Sequence, residues 1–169
     1  MSAKGEGDMD FSQRLEKLKM LLSAAGNTVQ GRKKLQKLAY ICQIAGEPLG
    51  QSFTFHHYGV YSPTLADDIR AAASMQLIEE FDGIGTVVTK LKKPVTVENT
   101  KGYALVKKLA DKEARLLEVL TTILYLKSQG YEDTALKAKL TALKGQHSDF
   151  FAEAFELAES EFAINSKGS

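Results

Sequence analysis

Apolar residues recur every three to four positions along most of this chain. That period gives way to short β-type runs only between about residues 51 and 98. Phe11, Leu15, Leu18, Leu22 and Ala25 share one side of a helix, with Arg14, Glu16, Lys17 and Lys19 between them and a stop at Gly26-Asn27. A second helix spans about Gly31 to Ala45, with Leu35, Leu38, Ala39, Cys42 and Ala45 inward. Tyr40, Ile41 and Ile44 widen its apolar face to most of its girth, which predicts a central core helix ended by Gly46 and Pro48. Ser62-Pro63 opens a third: the hydroxyl caps free amides and proline is preset for the first helical position. It runs to about Gln76, with Leu65, Ile69, Ala72 and Ala73 inward. Helical spacing returns in Lys101–Asp111, Glu113–Ser128, Asp133–Lys144 and Asp149–Phe162. The β-type runs are Gln51–Tyr58, Leu77–Phe81, Val87–Leu91 and Val95–Glu98, with turns at Asp82-Gly83 and Lys92-Lys93-Pro94. The fold expected is α+β and mainly helical: a helical bundle with a small antiparallel sheet and a winged-helix-like hairpin.

A chain of 169 residues accommodates one domain, read as 10–112, and a C-terminal helical extension, 113–164, packed on it. The polar ends, 1–9 and 165–169, read as disordered. A single cysteine, Cys42, permits no internal disulfide and suits a reducing compartment. The start has no apolar signal-peptide core, and no apolar run approaches the ~20 residues needed to span a bilayer. A cytoplasmic protein with no membrane partner is expected.

The net charge of +1 argues weakly against nucleic acid, and the distribution of charge says more. Residues 63–76 would be the groove-reading helix of a helix-turn-helix protein, yet they carry Asp67 and Asp68 against a single cation, Arg70. With both carboxylates on the outward arc, this helix suits a cationic protein surface better than phosphate. The cations lie elsewhere: Arg32, Lys33, Lys34 and Lys37 at the start of the second helix, and Lys90, Lys92 and Lys93 at the hairpin. Together they could follow one phosphate backbone, or simply keep a helix and an edge hairpin soluble. The last helix carries Asp149, Glu153, Glu156, Glu159 and Glu161 with no Lys or Arg, opposite a stripe of Phe151, Ala154, Phe155, Ala158 and Phe162. It reads as a docked helix with an acidic back.

No catalytic, metal or cofactor site is expected. His56 and His57 are neighbours in a strand, so their imidazoles point to opposite faces and cannot share an ion; one should reach core or interface. Cys42 falls on the inward arc of a core helix, and Asp67 and Asp68 stand about 100° apart, which is no two-carboxylate acid–base geometry. Gly-rich phosphate loops, nucleophile elbows and metalloprotease signatures are absent from the sequence.

Three stretches carry a family resemblance. Arg32-Lys-Lys-Leu-Gln-Lys-Leu-Ala-Tyr40 resembles the opening helix of the Panacea (SocA-like antitoxin) domain. Phe53–Tyr61 (FTFHHYGVY) followed by Ser62-Pro-Thr-Leu-Ala-Asp-Asp-Ile69 resembles its strand, turn and next helix. The order matches best the bacterial YwgA-type proteins, which look like distant relatives of that domain, and it covers roughly residues 31–80. Gly59-Val60-Tyr61 departs from the Gly-Pro-Val common in Panacea domains. The resemblance implies a protein-binding antitoxin or adaptor of a toxin–antitoxin or phage-defence setting. A separate likeness, in Val97-x-x-Thr100-x-Gly102-Tyr103-x-Leu105 after a hairpin with a basic tip, is to winged-helix regulators.

Three functions therefore stand as expectations. The first is a non-catalytic protein-binding module, its partner a toxin or protease component, using His56, His57, Tyr58, Tyr61, Asp67, Asp68 and Arg70. The second is a winged-helix-like DNA-binding regulator using Lys33, Lys34, Lys37, Lys90, Lys92 and Lys93. The third is a homo-oligomeric scaffold, in the simplest case a homodimer.

Overall fold

A computed structural model describes residues 9–57 and 59–163 of the chain. The described chain divides into two compact units. One runs to Thr54 and resumes from Tyr61 to Asp111; the other takes Phe55–Val60 and the chain from Lys112 onward.

The first unit opens with α1 (Phe11–Ala24), held at its start by a reciprocal cap between Asp10 and Gln13. Leu15, Leu18, Leu21 and Leu22 are its buried side. A three-residue strand follows, β1 (Thr28–Gln30), and then α2 (Arg32–Ile44). Gly31 makes the corner between them at φ 106°, in a region that favours glycine, where a Cβ would also come within 3.3 Å of Thr86 Oγ1. Every residue of α2 from Leu35 to Cys42 is buried, so this middle stretch is enclosed by protein on all sides, while Ile44, expected to extend the apolar face, is 43% exposed near the helix end.

A hairpin of β2 (Thr54–His56) and β3 (Gly59–Tyr61) leads into α3 (Pro63–Ser74), whose Ser62 cap accepts from the Leu65 amide at 3.2 Å. Beyond α3, β4 (Ile78–Asp82) and β5 (Val87–Leu91) pair antiparallel, with Ile78 opposite Leu91 and Asp82 opposite Val87. β1 pairs on the other side of β5, with Thr28 opposite Lys90, so the sheet order is β1-β5-β4 and β5 is central. The first unit closes with α4 (Lys101–Leu109), capped by Thr100 and packed on α1 and α2.

The helix α4 meets α2 at Gly102. A Cβ there would lie 2.5 Å from the Glu47 Cβ and 2.8 Å from the Cys42 carbonyl oxygen, both distances no real contact tolerates. Gly102→Ala should therefore force α4 off α2 and lower the unfolding free energy by about 2 kcal/mol. Guanidinium denaturation measures this, and a wild-type midpoint would refute the close approach.

In the second unit α5 (Ala114–Ser128) is the central helix. Its buried residues include Leu116, Leu117, Val119, Leu120, Ile123, Leu124 and Leu126. Thr121 and Thr122 are buried among them and donate their hydroxyls to the carbonyls of Leu117 and Glu118, at 2.8 and 2.7 Å. Two helices, α6 (Asp133–Lys144) and α7 (Phe151–Phe162), pack on α5, joined by a 3-10 turn at Gly145–Phe150. On α7 the fully buried positions are Ala154 and Ala158, while Phe151, Phe155 and Phe162 are half-buried. The small residues let the helix axes approach, and the rings close the seam from its sides.

The α+β, mainly helical reading holds, with corrections in the β-type regions. Thr28–Gln30 is a strand that no local run of apolar residues announced. The expected strand at 51–58 shrinks to Thr54–His56 and finds its partner in Gly59–Tyr61. Val95–Glu98 forms no strand; its backbone is held by the Ser23 hydroxyl, which donates to the Val95 carbonyl at 2.9 Å.

Candidate interaction surface

The motif residues of the second and third helices turn out to be a buried polar clasp. Gln36 holds the Ser62 peptide from both sides: its Nε2 donates to the Ser62 carbonyl at 3.1 Å and its Oε1 accepts from the Ser62 amide at 2.8 Å. The Ser62 hydroxyl donates to Gln51 Oε1 at 2.9 Å, and Gln51 Nε2 donates to Asp68 Oδ2 at 3.1 Å. Arg14, reaching across from α1, completes the chain with two bonds to the Asp68 carboxylate, at 2.8 and 3.2 Å. Gln36, Gln51, Ser62 and Asp68 are all buried. Satisfied in this way, buried polar groups fix one arrangement of α1, α2 and α3.

This overturns part of the sequence reading. Asp68 is 3% exposed and belongs to the clasp, so it is not on the outward arc of α3; the partner that draws it inward is Arg14, 54 residues upstream. Asp67 does face outward, ion-paired with Arg70 on the next turn. Tyr61 is 38% exposed at the end of β3. His56 and His57 belong to the second unit and are both exposed, so neither reaches the core. They line a cleft of about 440 Å³ with Phe55, Ala142, Leu143 and Lys144. Tyr58 lies outside the described residues.

The basic set is also broken up. Lys37 is 2% exposed, carried inside by the enclosed middle stretch of α2, and cannot meet phosphate. Arg32 is engaged by Glu80 at 3.2 Å. Lys33 is exposed and Lys34 half-buried. Lys90 is exposed on the central strand, with Thr28 and Glu79 opposite it on the two neighbours. Lys92 and Lys93 are exposed but follow the far end of β5, away from the turn that joins it to β4. That turn, Asp82-Gly-Ile-Gly-Thr86, holds no cation, so the hairpin tip expected to be basic is acidic and apolar.

The sequence reading missed the exposed apolar side chains. Met75 at the end of α3, Phe81 on β4 and Ile84 at the turn are 52%, 46% and 104% exposed. Ile84 was discoverable, since an isoleucine between two glycines at a hairpin turn has little to pack against. Phe81 follows from register: it shares one face of the sheet with Glu79 and Lys90, both exposed.

Among the described residues no group of three or more His, Cys, Asp or Glu side chains is placed to hold one metal ion. Burial pushes the Cys42 thiol up to about 12, so little thiolate forms near neutrality. No described helix is long and apolar enough to cross a membrane.

No protein-family model matches the chain. It is similar to the uncharacterized protein YwgA of Bacillus subtilis (strain 168). The two are 28% identical over 143 residues, which cover 77% of this chain and 83% of that protein. The likeness to YwgA thus extends well beyond residues 31–80, where the motifs of the clasp fall.

Proposed function

We propose that the chain is a non-catalytic protein-binding module of the antitoxin or adaptor kind, docking through the outer side of α3 and the β4–β5 turn. One observation carries this reading: these elements expose Met75, Phe81 and Ile84 together with the carboxylates of Asp67 and Asp82, and their one cation, Arg70, is paired with Asp67. Exposed large apolar side chains cost solvation until a partner covers them, and carboxylates on the same elements select a cationic partner. The same groups repel phosphate. The resemblance of the clasp motifs to the Panacea domain supports a toxin–antitoxin or phage-defence setting, with a toxin or protease component as partner.

The experiment is affinity capture from the source cell with mass-spectrometric identification, using the wild type and a Phe81→Ser, Ile84→Ser double variant. A partner held by these side chains should bind the variant at least ~30-fold more weakly, the loss expected of a hot spot of 2 kcal/mol or more. Lys33→Glu should leave it bound. An identical partner list for wild type and double variant would sink the reading.

The DNA-binding alternative keeps one support: apart from the β2–β3 hairpin inserted between α2 and α3, the element order α1-β1-α2-α3-β4-β5 with sheet order β1-β5-β4 is one a winged-helix module also uses. It predicts duplex binding that weakens steeply with salt and fails on Lys33→Glu with Lys90→Glu.

A further inference from the structure

We propose that the cleft along the open edge of β1 receives an extended acidic polypeptide segment, which adds to β1 as a further strand and sets a carboxylate against Lys34.

Among the described residues β1 is an edge strand, paired with β5 alone. The Gly31 amide donates to the Val87 carbonyl and the Leu91 amide to the Asn27 carbonyl, each at 2.8 Å. In an antiparallel ladder alternate residues turn their peptide groups toward the partner. Asn27, Val29 and Gly31 therefore face β5, and the N–H and C=O groups of Thr28 and Gln30 face the open edge. Proteins ordinarily cover such an edge or blunt it with charge or proline. Here it opens into a cleft of about 870 Å³, within the range of binding sites, whose far wall is the Thr100–Asp111 side of α4. A groove between a bare strand edge and a helix is the arrangement in which extended peptides bind by strand addition.

The charges in the cleft choose the peptide. Glu98, with its side chain 57% exposed, lies 3.7 Å from Lys17, whose nearer partner is Glu47 at 2.6 Å. Lys107 is exposed on α4, and Asp111 stands at its end. Lys34 projects from the first turn of α2, half-buried, with no carboxylate within ion-pair distance among the described residues. Its removal from water lowers its pKa, and distant Asp111 only partly opposes this. A carboxylate brought by a peptide would restore the lost solvation with a charge-assisted bond, and the neutral edge of β1 would supply the rest of the affinity through backbone bonds. β1 is about 10 Å long, so the seated segment is three to five residues. The site shares no residue with the α3 and β4–β5 surface, so the two proposals stand or fall separately.

A displayed library of random 12-residue peptides, panned on the full chain, supplies the probes. Recovered peptides should carry Asp or Glu at a fixed position. Synthesised, they should bind Gln30→Pro, which removes one edge-facing N–H and no β1–β5 bond, at least tenfold more weakly. Lys34→Glu should lose as much, and Ile84→Ser should bind as wild type. On the wild type itself, hydrogen exchange at the Thr28 and Gln30 amides should slow at least tenfold when peptide binds, a readout that needs no variant to fold. Failure to recover any peptide, recovered peptides without acidic residues, or unchanged exchange at Thr28 and Gln30 would each overturn the proposal.

Discussion

Asp68→Ala should lower the unfolding free energy by about 3 kcal/mol, whereas Asp67→Ala, one residue away on the same helix, should leave the denaturation midpoint where it is. The contrast follows from what each carboxylate touches. Asp68 is buried and accepts from Arg14 Nε, Arg14 Nη2 and Gln51 Nε2. Its removal strands a guanidinium, partly shielded at 19% side-chain exposure, and a buried amide. Breaking a buried pair from one side costs about 3–5 kcal/mol, and Arg14's remaining access to water places this case at the lower end. Asp67 is 70% exposed and paired with an equally exposed Arg70, an arrangement that contributes almost nothing. Asp68→Asn should fall between the two, because an amide oxygen can still accept but the other half of the group now presents hydrogens to donors. Equilibrium denaturation in guanidinium at neutral pH reads all three. A loss below about 1 kcal/mol for Asp68→Ala would mean that the clasp does not hold α1 and α3 together.

The same pair of residues marks how far local sequence could go. Helix ends were legible because their signals are local: Ser62-Pro63 caps and starts α3, Gly31 turns the chain into α2, and Asp82-Gly83 leads into the β4–β5 turn. Periodicity also found α2 as the enclosed helix. It could not say which of two adjacent aspartates turns in, since both lie beside the apolar arc and the deciding group, Arg14, is on another helix. Lys37 went wrong for a related reason. Cation-rich sequence at the start of α2 suggested a solvated patch, which holds for Lys33, yet Lys37 lies in the stretch that is buried on all sides and is carried inward with it. β1 was invisible because three residues, Thr28-Val29-Gln30, become a strand only when β5 supplies the ladder, about 60 residues later in the chain. The candidate surfaces inherit the same divide. Ile84 could have been found from its glycine neighbours, but the open edge of β1 exists only once the sheet order is known.

In the second unit the largest effect should come from Glu118→Ala. Lys144 is 2% exposed at the end of α6, and its ammonium meets the Glu118 carboxylate, donates to the His57 carbonyl at 3.3 Å and lies 5.7 Å from the centre of the Phe55 ring. Phe55 is itself stacked on Tyr125 of α5, so the cation sits in a pocket built by three separate stretches of this unit. Taking away Glu118 leaves a buried ammonium with one neutral acceptor and a ring face, and should cost about 3–5 kcal/mol. The reverse truncation should be milder. Lys144→Met keeps the apolar stem and removes the charge, while Glu118, at 14% exposure, retains some water and has His147 Nε2 at 3.9 Å. That variant should lose about 1–2 kcal/mol. Combining Lys144→Met with Glu118→Leu removes both buried charges and should recover to within about 1 kcal/mol of wild type, because a hydrophobic pair of similar volume replaces a desolvated ion pair at little net cost. A thermodynamic cycle over the four proteins tests the argument through its non-additivity. If the two single losses simply add in the double variant, Lys144 is held by packing on Phe55 and not by charge, and the cationic centre of this unit loses its structural role.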